Sequence, residues 1–247
     1  MAHPTIWPFN QILTDYYAKI ARPLPKQINP NNDSESLKVD AIFIFNDPRD
    51  WGLDCQLIID LLLSREGVIG TYSSNNGNKS LPNNGWQQDS QPSLIFSNPD
   101  LIWAAAYHLP RLGQGGFRAA LEGVWKSITG GAHLSLTQIG KPHQKTYLYA
   151  ERVLQEYRRE LFDRTHRGKN ISRLNRIYMI GDNPQSDIRG ANEFKSPYAT
   201  EWNSILVKTG VYRNGEIPAY KPDITVETVL DAVKWALEKE GYGMVSD

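Results

Sequence analysis

Apolar residues along this chain fall either in short continuous runs or at intervals of three and four, the pattern of strands interleaved with helices. Asp40–Asn46 (DAIFIFN), Ser93–Ser97, Ile177–Ile180 and Ser204–Lys208 are short runs bounded by polar or turn residues and read as strands. Between them, Leu53, Leu57, Ile58, Leu61 and Leu62 share one helical face, with Gly67 as the stop. Phe117, Ala120, Leu121, Val124, Trp125 and Ile128 share a second face ahead of Gly130. A third helix opens after Pro142 and carries Tyr147, Ala150, Leu154, Tyr157 and Leu161. In the last helix Thr225 serves as cap, Val226, Val229, Leu230, Val233 and Leu237 line one face, and Gly241 ends it. Strands alternating with helices predict an α/β fold with a mainly parallel sheet.

Two stretches interrupt the pattern. The opening MAHPTIWPFN is rich in aromatics and proline and leads into a polar segment near 25–35, so it does not read as a self-contained unit. Residues 71–93 (TYSSNNGNKSLPNNGWQQDSQPS) bury too little apolar surface to offset the entropy of ordering, and a mobile surface insertion is expected there.

Composition narrows the function classes. The 247 residues are 40% hydrophobic, enough for one large domain or two small ones around a sizeable core. Lysine plus arginine equals aspartate plus glutamate at 27 each, which leaves no electrostatic case for nucleic acid or an anionic membrane surface. Cys55 is the single cysteine, so neither an internal disulfide nor a cysteine-cluster zinc site can form, and it reads as a small buried hydrophobe. No apolar stretch approaches a transmembrane span and no targeting peptide is visible, so a soluble protein is expected.

The chemistry concentrates in IYMIGDNPQSDIRGA, where Asp182 and Asp187 follow an apolar strand and a glycine. Two carboxylates about 4 Å apart repel by on the order of 4 kcal/mol near a protein surface, so a close pair tends to share a cation or a proton. The carboxyl end of a parallel strand is also where open α/β sheets bind ligands. An ordinary Asp-rich turn, with Asp187 near a helix N-terminus, accounts for the same residues equally well when they stand alone. Upstream, Ile139-Gly140-Lys141-Pro142 puts a compact positive charge between a turn glycine and a helix start. A fixed cation together with carboxylates that hold a metal is what phosphoryl transfer requires. Competing motifs fail: LGQGGF has Arg118 where a dinucleotide fingerprint needs its third glycine, the five histidines show no paired metal-ligand spacing, and no G-x-S-x-G elbow occurs. Asp47-Pro48-Arg49-Asp50-Trp51 reads as a salt-bridged turn ahead of a substrate contact.

The blocks AIFIFNDPRDWGLD, SLIFSNPDLIW, LPRLGQGGFRAALEG, IGKPHQKTYLYAE and IGDNPQSDIRGAN, in that order, resemble the haloacid dehalogenase (HAD) superfamily. Within it the likeness is to the type IIA subfamily and its eukaryotic cat-eye-syndrome-critical-region-like branch. The resemblance implies a Rossmann-like core with an inserted α/β cap: residues 1–136 as cap and 137–247 as the C-terminal half of the core. It implies a magnesium-dependent phosphatase acting on a small phosphate ester. Lys141 matches the family's third motif, and Asp182 and Asp187 match its fourth, as metal-site acids. For substrate contact the matching blocks offer Asp47, Arg49, Asn98, Asp100, Arg111 and Gln114. The family's nucleophilic aspartate, its acid/base two residues later and an early Ser/Thr have no counterpart here, since NDPRD at 46–50 has the wrong spacing. The expectation is therefore a fragment, inactive by itself, whose strand at Ile177–Ile180 lacks a neighbour and whose partner is a homodimer mate or a complementing N-terminal segment. The alternatives are a non-catalytic interaction or regulatory module that kept the fold, and an active site made from this chain alone with Asp47 as nucleophile. Family likeness also points to mitochondria. Fungal relatives that carry a CDP-alcohol phosphatidyltransferase domain point to a phospholipid-pathway ester.

Overall fold

A computed structural model describes residues 19, 22–26, 28–29, 32, 36–165, 172–212 and 215–243. The MAHPTIWPFN opening and most of the polar segment after it lie outside the described residues. The chain divides into two compact units: the residues up to Ser97 with Gln114–Gln138, and Asn98–Gly113 with Ile139 onward. The segment 98–113, which the family resemblance assigns to the cap, clusters with the second unit.

In the first unit, strand β1 (Ala41–Ile44) pairs in parallel with β2 (Ser93–Phe96), which carries the short strand Thr137–Gln138 on its other side. Helix α1 (Trp51–Leu63) starts where the Asp50 carboxylate accepts from Leu53 N–H at 3.1 Å, and it ends at Ser64, ahead of Gly67. Helix α2 spans Gln114–Ile128. Its Phe117, Leu121 and Trp125, four residues apart, are fully buried against Ile58, Leu62, Leu94 and Phe96. Each such side chain stabilises the fold by roughly 1.5–3 kcal/mol relative to exposure. Val124 and Ile128, on the predicted face, are exposed, so the buried stripe is narrower than the apolar one. Cys55 packs at the edge of this core, and burial followed by the nearby Asp54 charge pushes its thiol up, away from the reactive thiolate.

Residues 71–93 are not the loose insertion expected from composition. Ser73 Oγ donates to Asp89 at 2.5 Å, Asn76 reaches the Leu63 carbonyl at 2.8 Å, and Asn83 and Gln87 both donate to and accept from the backbone of His133 and Ser135. The polar side chains that argued for mobility are the groups that satisfy this backbone. Trp86 and Gly85 are buried beneath them.

In the second unit a two-stranded hairpin pairs β3 (Ile102–Trp103) with β4 (Arg111–Leu112), antiparallel. Counting Thr137–Gln138 as β5, helix α3 (Gln144–Thr165) then leads to β6 (Arg176–Gly181). A π-type turn over Pro184–Ile188 runs into the short helix α4 (Arg189–Glu193), followed by β7 (Glu201–Val207), β8 (Ile224–Val226) and α5 (Val229–Lys239). The parallel order is β6-β7-β8, and among the described residues no strand pairs with the other edge of β6. Met179 and Trp202 pack on one face with Tyr147, Ala191 and Phe194, while Tyr178, Ile180 and Ile205 pack on the other with Ala232 and Trp235. Alternation along each strand thus supplies two covered faces, as parallel sheets require.

The predicted α/β class with parallel sheets is the observed, Rossmann-like fold. Helix ends and faces differ in detail. Thr228, not Thr225, caps α5, because Asp231 completes a reciprocal capping box with it; Thr225 and Val226 belong to β8. On α3 only Tyr147 of the predicted apolar face is buried, whereas Leu154, Tyr157 and Leu161 are exposed.

Candidate active site

The carboxyl ends of β6 and β7 build the site. Strand β6 ends in Gly181, and the chain turns at once through Asp182 and Asn183, whose side chain accepts from Gln185 N–H at 3.0 Å and starts the π-type turn. This turn carries Asp187 back over the strand end. A Cβ on Gly181 would lie 2.2 Å from the Asp187 carboxylate, so the glycine is required for space. Asp187 is 2% exposed. Its Oδ1 accepts from Lys141 Nζ at 2.6 Å and its Oδ2 from Asn183 N–H at 3.0 Å. Lys141 stands on the turn before α3, whose Tyr147 hydroxyl donates to the Ser186 carbonyl at 3.0 Å and fixes the same turn from behind. Burial, then Asp187 and Asp100, push the Tyr147 phenol far up, so it stays a donor.

Asp182 is held from β7. Past the strand end, Val211 N–H donates to Asp182 Oδ2 at 2.6 Å and Tyr212 N–H donates to the Asp182 carbonyl at 3.1 Å. Gly210 makes this approach feasible: its φ is +92°, and a Cβ there would stand 2.1 Å from Asp182 Oδ2. With Oδ2 engaged, Oδ1 is the oxygen a cation would meet.

Lys141, Asp182, Asp187 and Asp100 line one cavity of about 410 Å³, with Ile102, Trp103 and Ala104 of the hairpin among its other walls. Three carboxylates face a single ammonium there, an excess of negative charge suited to a cation. The donors are oxygens only, which fits a hard ion such as magnesium. Among the described residues no three His, Cys, Asp or Glu side chains are grouped to hold a metal by themselves. One or two carboxylates completed by waters and phosphate oxygens is the usual magnesium arrangement.

Of the predicted residues the structure thus brings together Lys141, Asp182, Asp187 and Asp100. Asn98 accepts from Asp100 N–H at 2.9 Å and shapes the approach to it. The Arg111 guanidinium lies over the Tyr107 ring at 4.5 Å, within the hairpin. Asp47, Arg49 and Gln114 belong to the first unit: Asp47 and Arg49 line a separate groove beside β1 and α1, and Gln114 is buried, donating to Ser97 Oγ at 3.3 Å. Sequence reasoning missed Thr209, Gly210 and Val211, although a glycine two residues past the Ser204–Lys208 run resembles the signal that marked Gly181. It also missed Ser186, whose buried hydroxyl lines the cavity beside the Asp100 carboxyl.

Burial pushes the Asp100 carboxyl above its ordinary value of 3.8; Lys141 and the Ser186 hydroxyl oppose this, and Asp187 and Asp182 add to it. A raised folded-state pKa gives stability that is complete below 3.8 and is lost as pH rises through the folded value. Asp100→Asn should therefore stabilise the chain at neutral pH, and the gain should shrink toward pH ~4. Urea unfolding at both pH values checks this, and an Asn variant that is less stable at each would refute it.

Residues 138–232 match the HAD-hydrolase-like family. The matched segment contains Lys141, Asp182, Asp187 and the Gly210 turn. The chain is 34% identical over 247 residues to a mitochondrial hydrolase of Saccharomyces cerevisiae, covering 95% of this chain and 63% of that protein. It is 41% identical over 202 residues to a Schizosaccharomyces pombe protein described as a fusion of a CMP-forming cardiolipin synthase with a mitochondrial hydrolase, covering 81% of this chain and 29% of that protein. The chain therefore spans less than two thirds of either relative. Among solved structures, a HAD-superfamily protein of Cytophaga hutchinsonii described as a possible sugar phosphatase aligns with a TM-score of 0.43 and 18% identity, over 88% of this chain and 52% of that one.

Proposed function

We propose that the chain is the cap and the C-terminal half of the core of a magnesium-dependent phosphatase of the HAD type IIA subfamily, acting on a small phosphate ester. One observation carries this reading: Lys141, Asp182 and Asp187 converge at the carboxyl ends of two parallel strands, in a cavity whose charge calls for a cation. In this reading Lys141 meets the phosphoryl oxygens, steered by Asp187. Asp182 Oδ1 would hold magnesium, which when bound would neutralise charge developing on the phosphoryl group. Asp187, with both oxygens engaged, acts by orienting Lys141 and the turn. Asp100 stands across the cavity as a further acid that a substrate group can meet.

The acid that accepts the phosphoryl group is, in this proposal, supplied by a segment preceding these residues. The edge of β6 that no strand pairs among the described residues, with the exposed Leu154 and Tyr157 on α3 and Val229 and Leu230 on α5, supports it, since a further strand and its neighbours would cover them. The names of both yeast relatives support a hydrolase that works in mitochondria. Among the described residues no helix is long and apolar enough to cross a membrane. The test is magnesium-dependent release of p-nitrophenol from p-nitrophenyl phosphate, by this chain and by the chain extended with the preceding sequence of its gene. Turnover by the extended protein alone is the expected result. Turnover by the present chain would place the nucleophile within it, and silence in both would favour a non-catalytic binding role.

A further inference from the structure

Resting on the phosphatase reading, we infer that Tyr147 is a positioning residue of the site: its hydroxyl holds the Lys141–Asp187 pair where phosphate meets it. A lysine ammonium is a point charge on a flexible stem, and the Lys141 side chain is 42% exposed, so its aim depends on its anchor. That anchor is Asp187 Oδ1, which takes one of the three ammonium protons and leaves two for phosphoryl oxygens. Asp187 itself rides on the π-type turn, a rare form that recurs at functional sites.

Tyr147 holds this turn from the segment that also carries Lys141. Its hydroxyl is shared between the Ser186 carbonyl at 3.0 Å and the Asp187 carbonyl at 3.4 Å. One residue earlier, Thr146 Oγ1 accepts from Gly140 N–H at 2.9 Å and ties the Lys141 turn to the start of α3. These contacts close a ring: Lys141 to Asp187 through side chains, Asp187 to Tyr147 through the backbone carbonyls, and Tyr147 back to Lys141 through Thr146 and Gly140. Cutting the ring at Tyr147 leaves the ion pair but frees the turn that aims it.

Packing alone does not account for the hydroxyl. The Tyr147 ring is covered by Phe194 and Trp202, at centroid distances of 5.7 and 5.1 Å, and phenylalanine would keep both contacts. On α4, a Cβ added to Gly190 would stand 1.9 Å from Tyr147 Oη. Glycine is a poor helix residue, so α4 gives up helix propensity to let the phenol reach the two carbonyls. Asp182 precedes the turn and is held instead by the Val211 and Tyr212 N–H groups beyond β7. The cation site therefore does not share the dependence on Tyr147.

The test is Tyr147→Phe in the full chain, read by titration calorimetry with inorganic phosphate in magnesium buffer and by Mn²⁺ affinity from electron paramagnetic resonance. Phosphate affinity is expected to fall about tenfold, the order of one lost hydrogen bond, while Mn²⁺ affinity stays within about twofold of the parent. Tyr147→4-aminophenylalanine returns an N–H donor to the same place and should restore phosphate affinity. Unchanged phosphate affinity in Tyr147→Phe, a parallel fall for phosphate and Mn²⁺, or no recovery with the amine overturns the inference and leaves the phosphatase reading standing. A parent chain that binds no phosphate overturns that reading and this inference with it.

Discussion

Replacing Asp187 with alanine is expected to cost about 2–3 kcal/mol of stability and to abolish phosphate binding at Lys141. Breaking a fully buried ion pair typically costs roughly 3–5 kcal/mol, because the surviving charge is left without a partner or water. Here the Lys141 side chain is 42% exposed and can recover some hydration, which lowers the figure. Two further losses act in the same direction. Asn183 N–H loses its acceptor, and the space above Gly181, shaped to the carboxylate, is left partly empty. Asp187→Asn separates the contributions, since it keeps the volume and an oxygen for Asn183 but removes the charge that steers Lys141. It should retain most of the stability and still lose phosphate affinity. Urea unfolding with phosphate titration of both variants reads this out; an Asp187→Ala protein within about 0.5 kcal/mol of the parent would rule out the anchoring role.

Much of this architecture is legible in the sequence where local pattern and tertiary demand agree. Ile177–Ile180 followed by Gly181-Asp182 announces a strand that ends at a site, and Lys141 before a helix start announces a fixed charge. What brings them together is a contact across 46 residues, which no local pattern states. The same limit hid Gly210 and Val211, which meet Asp182 from 28 and 29 residues away. Periodicity overestimates burial wherever an apolar stripe is wider than its partner surface, as at Val124 and Ile128. It also cannot choose between Thr225 and Thr228 as a cap, a choice that Asp231 makes three residues after the second. Composition misjudged 71–93 because it counts polar groups without knowing which of them satisfy one another.

Gly210→Ala is the sharpest probe of the metal-site proposal, because two effects can be pulled apart within the same chain. An alanine at φ +92° is strained anywhere, at a cost of about 1 kcal/mol. Gly215 has φ +91° with no atom of the described residues within 4 Å of a built Cβ, so Gly215→Ala should show that strain alone. At Gly210 the new methyl would also collide with Asp182 Oδ2 and displace the carboxylate from Val211 N–H, a 2.6 Å charge-assisted bond whose loss costs roughly 1.5–3 kcal/mol more. If Asp182 Oδ1 holds the cation only because Oδ2 is pinned, Mn²⁺ affinity measured by electron paramagnetic resonance should fall at least tenfold in Gly210→Ala and stay unchanged in Gly215→Ala. Equal Mn²⁺ affinity in the two variants would mean that the turn after β7 shapes the fold without setting the cation site, and Asp182 would lose its place as the primary ligand.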